Sequence, residues 1–389
     1  MITLASPDTC TGCMACAQAC PVQCIEISKD VHGNIFPKID RSVCVSCGRC
    51  QHSCPALSPV SSTYPQTAYA VWSLDDTDRK SSASGGAASV FYQTALSMGY
   101  WICGTEYVQD FHVIHTVTRD VRQIARYKQS KYVFSETDDS YRQILNLLKQ
   151  GEKVLFISLP CKVAGLLRFL GKPFENLLTV DIVCHGTPSH DQLYHHITEV
   201  LQGKQADHLK FRQDNTFCFD LQKQDCSVYH KIGQQDTYLA AFLAGLNYRD
   251  SCYQCSYAKQ ERISDLTICD FWGLGHEVPF NHPYSGSISA VLVNTEAGHH
   301  FFASTQNLLF WEERPVWEAV KGNAQLNHPT PLHPKREQFA VECTLHGFEQ
   351  AVTNCLHEEI SAHKKELSRQ QLRETLRKTA GIFIKRYRG

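Results

Sequence analysis

Apolar and polar positions in the middle of the chain follow two periods, one typical of strands and one typical of helices. Strands are predicted at residues 68–71, 153–158 and 177–183, and helices at residues 87–98, 141–149, 163–170 and 192–201. Helical segments that alternate with strands favour a mixed α/β fold with an at least partly parallel sheet.

A stretch rich in serine and proline, residues 59–67, precedes the first of these strands and is predicted to be a linker. The chain has 389 residues, which is enough for about two or three domains. We therefore expect a small module at residues 1–58, a larger body that comprises residues 68–150 and 151–330, and a C-terminal segment at residues 331–389.

The N-terminal module contains two copies of the spacing C-x2-C-x2-C-x3-C-P. The two copies consist of Cys10, Cys13, Cys16 and Cys20, and of Cys44, Cys47, Cys50 and Cys54. Bacterial ferredoxins with two [4Fe–4S] clusters have this spacing, and the fourth cysteine of each run binds the other cluster. The predicted ligands are therefore Cys10, Cys13, Cys16 and Cys54 for cluster one, and Cys44, Cys47, Cys50 and Cys20 for cluster two.

Below, these two sets are called the cluster-one cysteines and the cluster-two cysteines. Zinc, which takes four ligands in separated pairs, fits the spacing badly. Cys24 lies outside the pattern and is predicted to be an ordinary buried thiol.

Charge and cysteine content narrow the class of protein further. Lys and Arg total 38 and Asp and Glu total 39, so the overall charge gives no argument for nucleic acid or an anionic membrane as partner. No signal sequence precedes Cys10, and no apolar run approaches the roughly eighteen residues that cross a bilayer. We therefore expect a cytoplasmic protein, in which the nineteen cysteines serve metal binding, catalysis or burial rather than disulfides.

Two of the predicted strands end close to a cysteine. Cys161 follows the strand at 153–158 and Cys184 follows the strand at 177–183. Ligands bind beyond the carboxyl ends of strands in open parallel sheets, so both thiols are expected at one rim. With the C-x2-C pair Cys252 and Cys255 they form a candidate four-cysteine site, called here the third cysteine set. The spacing leaves three alternatives open, namely an iron–sulfur cluster, a zinc ion or four unrelated buried thiols.

Ser84, Gly85 and Gly86 precede the predicted helix at residues 87–98. Backbone amides at a helix N-terminus can hold a phosphate or a flavin edge, although a glycine pair there is also a common turn. The same two interpretations apply to Lys131 and Tyr132.

Six short segments in order resemble the beta-subunit family of coenzyme F420 hydrogenases and dehydrogenases. They are residues 84–86 (SGG), 130–132 (SKY), 159–162 (LPCK), 181–186 (DIVCHG), 252–255 (CYQC) and 265–273 (DLTICDFWG). The resemblance covers most of residues 68–295. Two residues depart from the family pattern, Lys162 where glutamine is usual and Cys269 where glycine is expected.

The resemblance implies FAD as a cofactor and a third [4Fe–4S] cluster on Cys161, Cys184, Cys252 and Cys255. It also implies a flavin site that includes Ser84, Gly85, Gly86, Lys131, Tyr132, Gly286 and Ser287. Residues 68–150 and 151–330 would be the N- and C-terminal domains of the family. The predicted fold is thus an α+β ferredoxin-like module followed by a mixed α/β flavin-binding body with a partly parallel sheet and a C-terminal helix.

The main functional hypothesis is an iron–sulfur flavin oxidoreductase. Electrons from a soluble donor such as reduced ferredoxin would cross the clusters to FAD and reach, or return from, a small-molecule or lipid-linked acceptor, for example in surface-polysaccharide metabolism. Two other hypotheses stay open, a non-catalytic electron-transfer subunit of a larger oxidoreductase of the coenzyme F420 type, and a zinc-binding interaction protein.

His185 is the candidate proton donor, because it follows Cys184 at the rim and can titrate near neutrality. A hydrogen bond from His185 to a carbonyl or a sulfide is the simpler interpretation. Asp181, Arg262 and Asp270 are weaker candidates for binding substrate or flavin.

The C-terminal residues 361–389 contain nine basic residues and two acidic ones. Apolar residues recur among them at Leu367, Leu372, Leu376, Ile382, Phe383 and Ile384. This pattern predicts an amphipathic helix, which either packs on its own domain or docks on an acidic electron donor or an anionic membrane.

Overall fold

The computed structural model describes residues 2–213 and 216–386, with side chains as far as residue 369. The predicted apolar and basic pattern from Leu372 onward therefore lies outside the described side chains. The helix that contains it runs through Phe348–Arg386 and has one non-helical residue, Leu356.

The body is built on a nine-stranded mixed sheet, which we describe within those residues. Its strands are β3 (Thr67–Ser73), β4 (Trp101–Tyr107), β5 (Val113–Thr118), β6 (Ser135–Glu136), β7 (Val154–Ser158), β8 (Leu177–Ile182), β12 (Leu266–Asp270), β13 (Ser289–Val293) and β14 (Leu309–Arg314). Their spatial order is β14-β3-β13-β12-β8-β7-β4-β5-β6. The central strands β4, β7, β8 and β12 are parallel, whereas β12 with β13, β13 with β3, β3 with β14 and β4 with β5 are antiparallel.

Strands β1 (Ile25–Lys29) and β2 (Ile35–Ile39) form an antiparallel hairpin in the N-terminal module. Strands β9 (His208–Gln213), β10 (Thr216–Lys223) and β11 (Cys226–Ile232) form a separate antiparallel sheet in the body.

Thirteen α-helices lie in the described part of the chain. They are α1 (Ala15–Ala19), α2 (Arg49–His52), α3 (Asp76–Lys80), α4 (Ala87–Ser97), α5 (Ile124–Tyr127), α6 (Ser140–Lys149), α7 (Pro160–Leu170), α8 (His190–Leu201), α9 (Thr237–Leu243), α10 (Glu296–Ala303), α11 (Val316–Gly322), α12 (Arg336–His346) and α13 (Phe348–Arg386). Helix α7 begins three residues earlier than predicted, because Pro160 occupies its first turn, where a missing backbone N–H costs nothing.

The partly parallel α/β body and the C-terminal helix expected from the sequence are confirmed. All seven predicted strands and helices occur near their predicted positions. The alternation of patterns does not predict the antiparallel strands β5, β13 and β14. Strand β5 forms a hairpin-like pair with the preceding β4, whereas β13 and β14 both pair with β3, which lies more than 200 residues earlier, and a local period cannot reveal such a distant pairing.

The body has several apolar clusters, of which three bear on the position of the cysteine sites. One cluster packs α4 and α10 against the large sheet around Phe91, Val180 and Phe302. A second joins the small sheet to α8, α9 and the start of α13 around Phe211, Tyr238 and Ala351. The third is the layer of α6 and α7 against β7, and it includes Cys13 and Ala15 of the N-terminal module. The module therefore shares an apolar core with the body.

Residues 59–67, predicted as a linker, are attached to the body by backbone hydrogen bonds. Thr63 and Arg262 exchange two of them at 2.8 Å, and Gln66 N donates to Val293 O at 2.7 Å. Strand β3 already begins at Thr67.

Candidate functional site

The four cluster-one cysteines surround one cavity of about 360 Å³. Its other walls are Leu4, Ala5, Thr11, Met14, Pro37, Pro55 and Ala56. Cys10, Cys13 and Cys16 come from the first run and its short helix α1, and Cys54 follows the second run's helix α2. Burial raises the pKa of the Cys13 and Cys54 thiols. The structure thus brings together the four residues that the crossed assignment requires.

The four cluster-two cysteines surround a second cavity, of about 300 Å³. Its other walls are Ile2, Val22, Cys24, Ile25, Ile39, Val45 and Gly48. Cys24 is buried as predicted, and its sulfur lies 3.5 Å from the sulfur of Cys20. Cys47 is exposed and Val45 is 60% exposed, so this cavity lies at the surface of the protein.

The two runs share a backbone pattern that the cysteine spacing does not show. Gly12 and Ser46, which occupy equivalent places, have φ of +64° and +55°. Met14 and Gly48, also equivalent, have φ of +57° and +74°. Each run therefore turns through two left-handed residues before its short helix, and glycine occupies only one of them in each run.

The four residues of the third cysteine set lie near one another at the carboxyl edge of the parallel strands. Cys161 lies in the first turn of α7, Cys184 follows β8, and Cys252 and Cys255 lie in the segment after α9. Burial, and then the nearby charges of Cys252, Cys161 and Cys255, raise the pKa of Cys184 far above its usual range. Burial likewise raises the pKa of Cys161 to about 12 and that of Cys252 to about 11, and neighbouring thiols of the set contribute to both shifts.

The third cysteine set lies next to the cluster-one cavity. A Cβ atom on Gly165 of α7 would lie 3.0 Å from the sulfur of Cys13, so α7 packs directly against the first run. The charge of Cys13 also acts on the thiol of Cys161. Tyr257 is near both groups, since burial and then the charges of Cys161, Cys13, Cys255 and Cys54 raise its pKa.

Lys162 and Arg249 are fully buried at this junction. The Lys162 ammonium donates to Gly12 O at 3.0 Å, and the Arg249 Nε donates to Cys10 O at 2.8 Å. Both cations lie over the ring of Phe134, Lys162 at 3.9 Å and Arg249 at 5.5 Å from its centroid. Burial lowers the pKa of Lys162 to about 8, and the charges of Cys161 and Cys13 oppose that shift.

Cys269 does not join the third cysteine set. Burial and Asp270 raise the pKa of its thiol, and Arg262 and Asp181 are the other charges that act on it. Asp181 and Arg262 are themselves occupied in a buried ion pair of 2.7 Å, in which Ser264 also donates to Asp181. Their charged atoms are therefore used within the fold rather than turned toward a ligand.

The glycine segment and the segment before β13, both predicted for the flavin, are neighbours. Ser84 Oγ donates to Ile288 O at 3.2 Å, and Arg79 donates to Ser287 O at 2.9 Å. Gly85 lies so close to the sheet that a Cβ atom would be 2.4 Å from Val71 O. Close packing against the sheet is therefore enough to explain the glycine at position 85. Gly86 has a φ of +92° at the start of α4. Gly286 is exposed.

The chain segment before Lys131 returns to the same edge. Lys128 pairs with Asp78 at 2.5 Å, and Gln129 donates to Ser81 O at 2.7 Å. Three buried polar atoms of this edge, Asp78 Oδ2, Arg79 Nε and Gln129 Oε1, have no hydrogen-bond partner. Burial lowers the pKa of Lys131 to about 7.

Tyr132 belongs to a second polar group, near the third cysteine set. Its hydroxyl bonds to Arg212, which pairs with Asp270 at 2.5 Å. The charge of Asp270 also acts on His185. Arg212 Nε and Asp270 Oδ1 are buried and unpartnered. Sequence reasoning missed Arg212 entirely, because a single arginine in a strand carries no motif.

His185 is exposed and lies directly after Cys184. Desolvation by the surrounding protein atoms lowers its pKa, and Asp270 opposes that shift. Its backbone oxygen accepts a hydrogen bond of 2.7 Å from Thr330. The structure thus places His185 beside the third cysteine set and Asp270.

In the described residues, no three His, Cys, Asp or Glu side chains converge as ligands of one metal ion. The same part of the chain has no helix with both the length and the apolar character that crossing a bilayer demands.

Comparisons with known proteins match two segments of the chain. Residues 151–316 match the family described as the C terminus of the coenzyme F420 hydrogenase/dehydrogenase beta subunit. Residues 9–57 match the 4Fe-4S dicluster domain. Both matches confirm the resemblance drawn from the short segments and from the cysteine spacing. The chain thus combines a segment similar to a 4Fe-4S dicluster domain with a segment similar to the C terminus of coenzyme F420 hydrogenase/dehydrogenase beta subunits.

Solved structures match as well. One is a chain of the F420-reducing [NiFe] hydrogenase complex from Methanosarcina barkeri, with 14% sequence identity and a TM-score of 0.47. The match covers 73% of this chain and 94% of that chain. No curated protein matches the chain.

Proposed function

We propose that this chain is an electron-transfer subunit that carries single electrons between a surface cluster and FAD in a larger oxidoreductase. The observation that carries the proposal is the arrangement of three four-cysteine groups. One group surrounds a surface cavity, the second surrounds an inner cavity, and the third adjoins the inner one through Cys13 and Cys161. This order leads from solvent to the edge of the sheet where ligands of parallel folds bind.

The residues present fit three [4Fe–4S] clusters. Each cavity has the four cysteines of one predicted cluster, the outer cavity also has Cys24, and the remaining walls are mainly apolar. In the third cysteine set, the charges of Cys252, Cys161 and Cys255 raise the pKa of Cys184. Such thiols ionise together when the positive charge of a bound metal centre offsets their repulsion. A bound cluster accepts and releases one electron, and its potential depends on nearby charge, hydrogen bonds and solvent.

The chain's own residues define how exposed each site is. Val22, Ile25 and Ile39 line the outer cavity, but Cys47 leaves it open to solvent and to a partner protein. Met14, Pro37 and Phe134 close the inner region. Electron exchange with a partner therefore takes place at the cluster-two cysteines, and the buried Cys10, Cys13 and Cys16 keep the cluster-one site away from solvent.

FAD is the proposed flavin because two groups of unpartnered buried polar atoms lie on the strand edge. One group is at Asp78, Arg79 and Gln129, and the other is at Arg212 and Asp270. Unpartnered buried polar atoms are rare in proteins, and a polar ligand is one way to satisfy them. Residues 84–86, 131–132 and 286–287 would contact the flavin on this proposal. FAD converts one-electron into two-electron chemistry when bound.

Among the functional hypotheses, the subunit hypothesis has the stronger support. The matched family is described as a beta subunit, so its members work beside other chains. An independent enzyme that uses ferredoxin and an organic acceptor stays a second candidate, and Arg212, Asp270 and His185 beside Cys184 would form its reaction site. No feature of residues 2–213 or 216–386 points to a polysaccharide substrate.

Cofactor analysis of the chain reconstituted without oxygen tests the proposal. We expect about twelve iron and about twelve sulfide per chain, from three clusters of four, and about one equivalent of FAD on denaturation. Zinc in place of iron would overturn the whole proposal. Eight iron atoms would remove the third cluster, and FMN or no flavin would remove the FAD assignment.

The third cysteine set has a matched control in Cys269. Cys252→Ala should lose one cluster and keep the signals of the dicluster domain, because Cys252 belongs to the converging thiols. Cys269→Ala removes an equally buried thiol that faces Asp270 and Arg262 instead, so it should keep all three clusters. Loss of a cluster from Cys269→Ala alone would reverse the assignment.

The basic C-terminal residues 361–389 are proposed to dock on an acidic redox partner. Truncation at residue 360 should leave iron and FAD unchanged and weaken partner binding at low salt, because the attraction between charges falls with ionic strength. A truncated chain that is insoluble or lacks FAD would show that the segment belongs to the fold.

A further inference from the structure

Lys162 and Arg249 are two buried cations without a carboxylate partner in the described residues. Arg262 is equally buried, but its charge is compensated by the carboxylate of Asp181, which lies 2.7 Å from it. Removal of a charge from water costs several kcal/mol unless an opposite charge compensates for it. The two unpaired cations therefore indicate negative charge close by that is not a carboxylate.

Both cations bind the same short loop of the first cysteine run. Lys162 Nζ donates to Gly12 O, Arg249 Nε donates to Cys10 O, and Arg249 Nη2 donates to Ile35 O at 2.6 Å. These bonds satisfy only part of the donor capacity of the two groups. Arg249 Nη1 is buried, has no acceptor, and would lie 3.0 Å from a Cβ atom on Gly12.

The same two residues reach the third cysteine set. Lys162 follows Cys161 directly in α7, and Arg249 precedes Cys252 by three residues. The positive charge of Arg249 acts on the Cys252 thiol, and that of Lys162 acts on the thiols of Cys161 and Cys13. The two cations thus lie between two groups of four cysteines.

The cluster-two cysteines have no comparable neighbour in the described part of the chain. The body side chain that bonds to their run is Arg168, which donates to His52 O at 2.6 Å from a partly exposed position. Water screens the charge of such a residue, whereas the charges of Lys162 and Arg249 act through protein.

We propose that Lys162 and Arg249 are the counter-charges of the cluster-one and third clusters, and that they raise the reduction potentials of both above that of cluster two. A cluster that takes one electron from a low-potential one-electron donor becomes one charge more negative, so a buried cation stabilises its reduced form. The electron entering at the exposed cluster-two cysteines is therefore drawn inward. This inference rests on the proposed cluster binding.

Redox titration of the reconstituted chain, followed by electron paramagnetic resonance, tests the proposal in Lys162→Gln. Glutamine keeps a donor for Gly12 O and removes the charge. We expect the ratio of reduced to oxidised inner cluster at a fixed potential to fall at least tenfold, which corresponds to 59 mV for one electron. The cluster-two signal should keep its midpoint in the same sample.

Arg168→Gln is the matched control on the same helix, six residues further along α7. It removes a cation that also donates to a carbonyl of a cysteine run, but from a partly exposed position. We expect unchanged midpoints for all clusters. Unchanged inner midpoints in a fully loaded Lys162→Gln chain would overturn the proposal, and so would an equal shift in Arg168→Gln.

If Lys162→Gln does not bind the inner cluster, urea unfolding tests the same proposal. In the full chain stripped of iron by a chelator, Lys162 has lost its counter-charge, so Lys162→Gln should unfold at a higher urea concentration than the parent chain. In the loaded chain the order should be reversed. A stripped variant that is less stable than the stripped parent would show that Lys162 is a packing residue only. Absence of iron from the parent chain would instead overturn the proposed function.

Discussion

The two cysteine runs of the N-terminal module have the same spacing and the same backbone turns, but opposite surroundings. The first run is bonded to the body by Lys162, Arg249, Thr137 and Arg142, and Cys13 belongs to a core cluster of the body. Within the described residues, Arg168 is the body side chain that bonds to the second run, and Cys47 is exposed. A symmetric motif has thus acquired an inner site and an outer site. Because both runs have the same ligands, it is their packing against the body that makes the first site an inner one and the second site an outer one.

The largest expected difference concerns the left-handed glycines. Gly12→Ala places a Cβ atom 3.0 Å from Arg249 Nη1 and from Phe134 Cζ at a φ of +64°, whereas Gly48→Ala at +74° meets only His52 at 4.0 Å. We expect about 2 to 4 kcal/mol of destabilisation for Gly12→Ala, from strain and overpacking, and about 1 kcal/mol for Gly48→Ala, from strain alone. Urea unfolding of the two variants measures this, and equal losses would contradict the comparison.

The buried histidine His196, which lies outside both cavities, is expected to make the free energy of unfolding depend on pH. His196 is buried between Asp236, at 2.9 Å, and Glu349 at the start of α13. Burial lowers the pKa of His196, but the two carboxylates outweigh it and raise the pKa to about 9. A raised pKa gives stability that is full below about pH 6.5 and is lost as pH rises through about 9, worth about 3 kcal/mol.

Urea unfolding between pH 6 and pH 9.5 checks this expectation, with His196→Gln as the control. The variant should show a flatter pH dependence over that interval. A parent chain whose stability rises toward pH 9.5 would show that His196 is neutral in the fold.

The clusters at the two sites should be lost at different rates. The cluster-two cavity has the exposed Cys47, whereas Cys10, Cys13 and Cys16 are all buried. A chelator in the presence of oxygen should therefore remove cluster two at least about tenfold faster than cluster one, a difference of about 1.4 kcal/mol in barrier. Loss of iron followed together with the resonance signals of each cluster gives the order. Simultaneous loss would mean that exposure does not separate the sites.

The smallest effect is expected at a surface contact between module and body. Lys29 and Asp191 form an ion pair of 2.7 Å, with side chains 50% and 33% exposed. An exposed pair contributes about 0.2 to 1 kcal/mol, so Lys29→Met should change stability by no more than that. A loss comparable to that of Gly12→Ala would place the attachment of the module at the surface rather than at the buried loop.

Much of the chemistry was predictable from local sequence. Three cysteines of each run lie on one turn, so their spacing already specifies that they can share a cluster, and the crossed position of Cys20 and Cys54 followed from the same motif. The strands and helices around Cys161 and Cys184 followed from apolar periods. The ion pair of Asp181 and Arg262 was not predictable, because it joins residues 81 positions apart.

Local patterns along the chain were enough to predict the candidate ligands, the partly parallel body and the resemblance of residues 151–316 to the coenzyme F420 beta-subunit family. The folded chain alone shows that one run faces the body and the other faces solvent, and that Lys162 and Arg249 are buried together over Phe134. The two kinds of feature differ in how far apart along the chain the interacting residues lie. Ligand spacing and periodicity act over a few residues, whereas burial and the charge around a site come from segments that meet only in the folded chain.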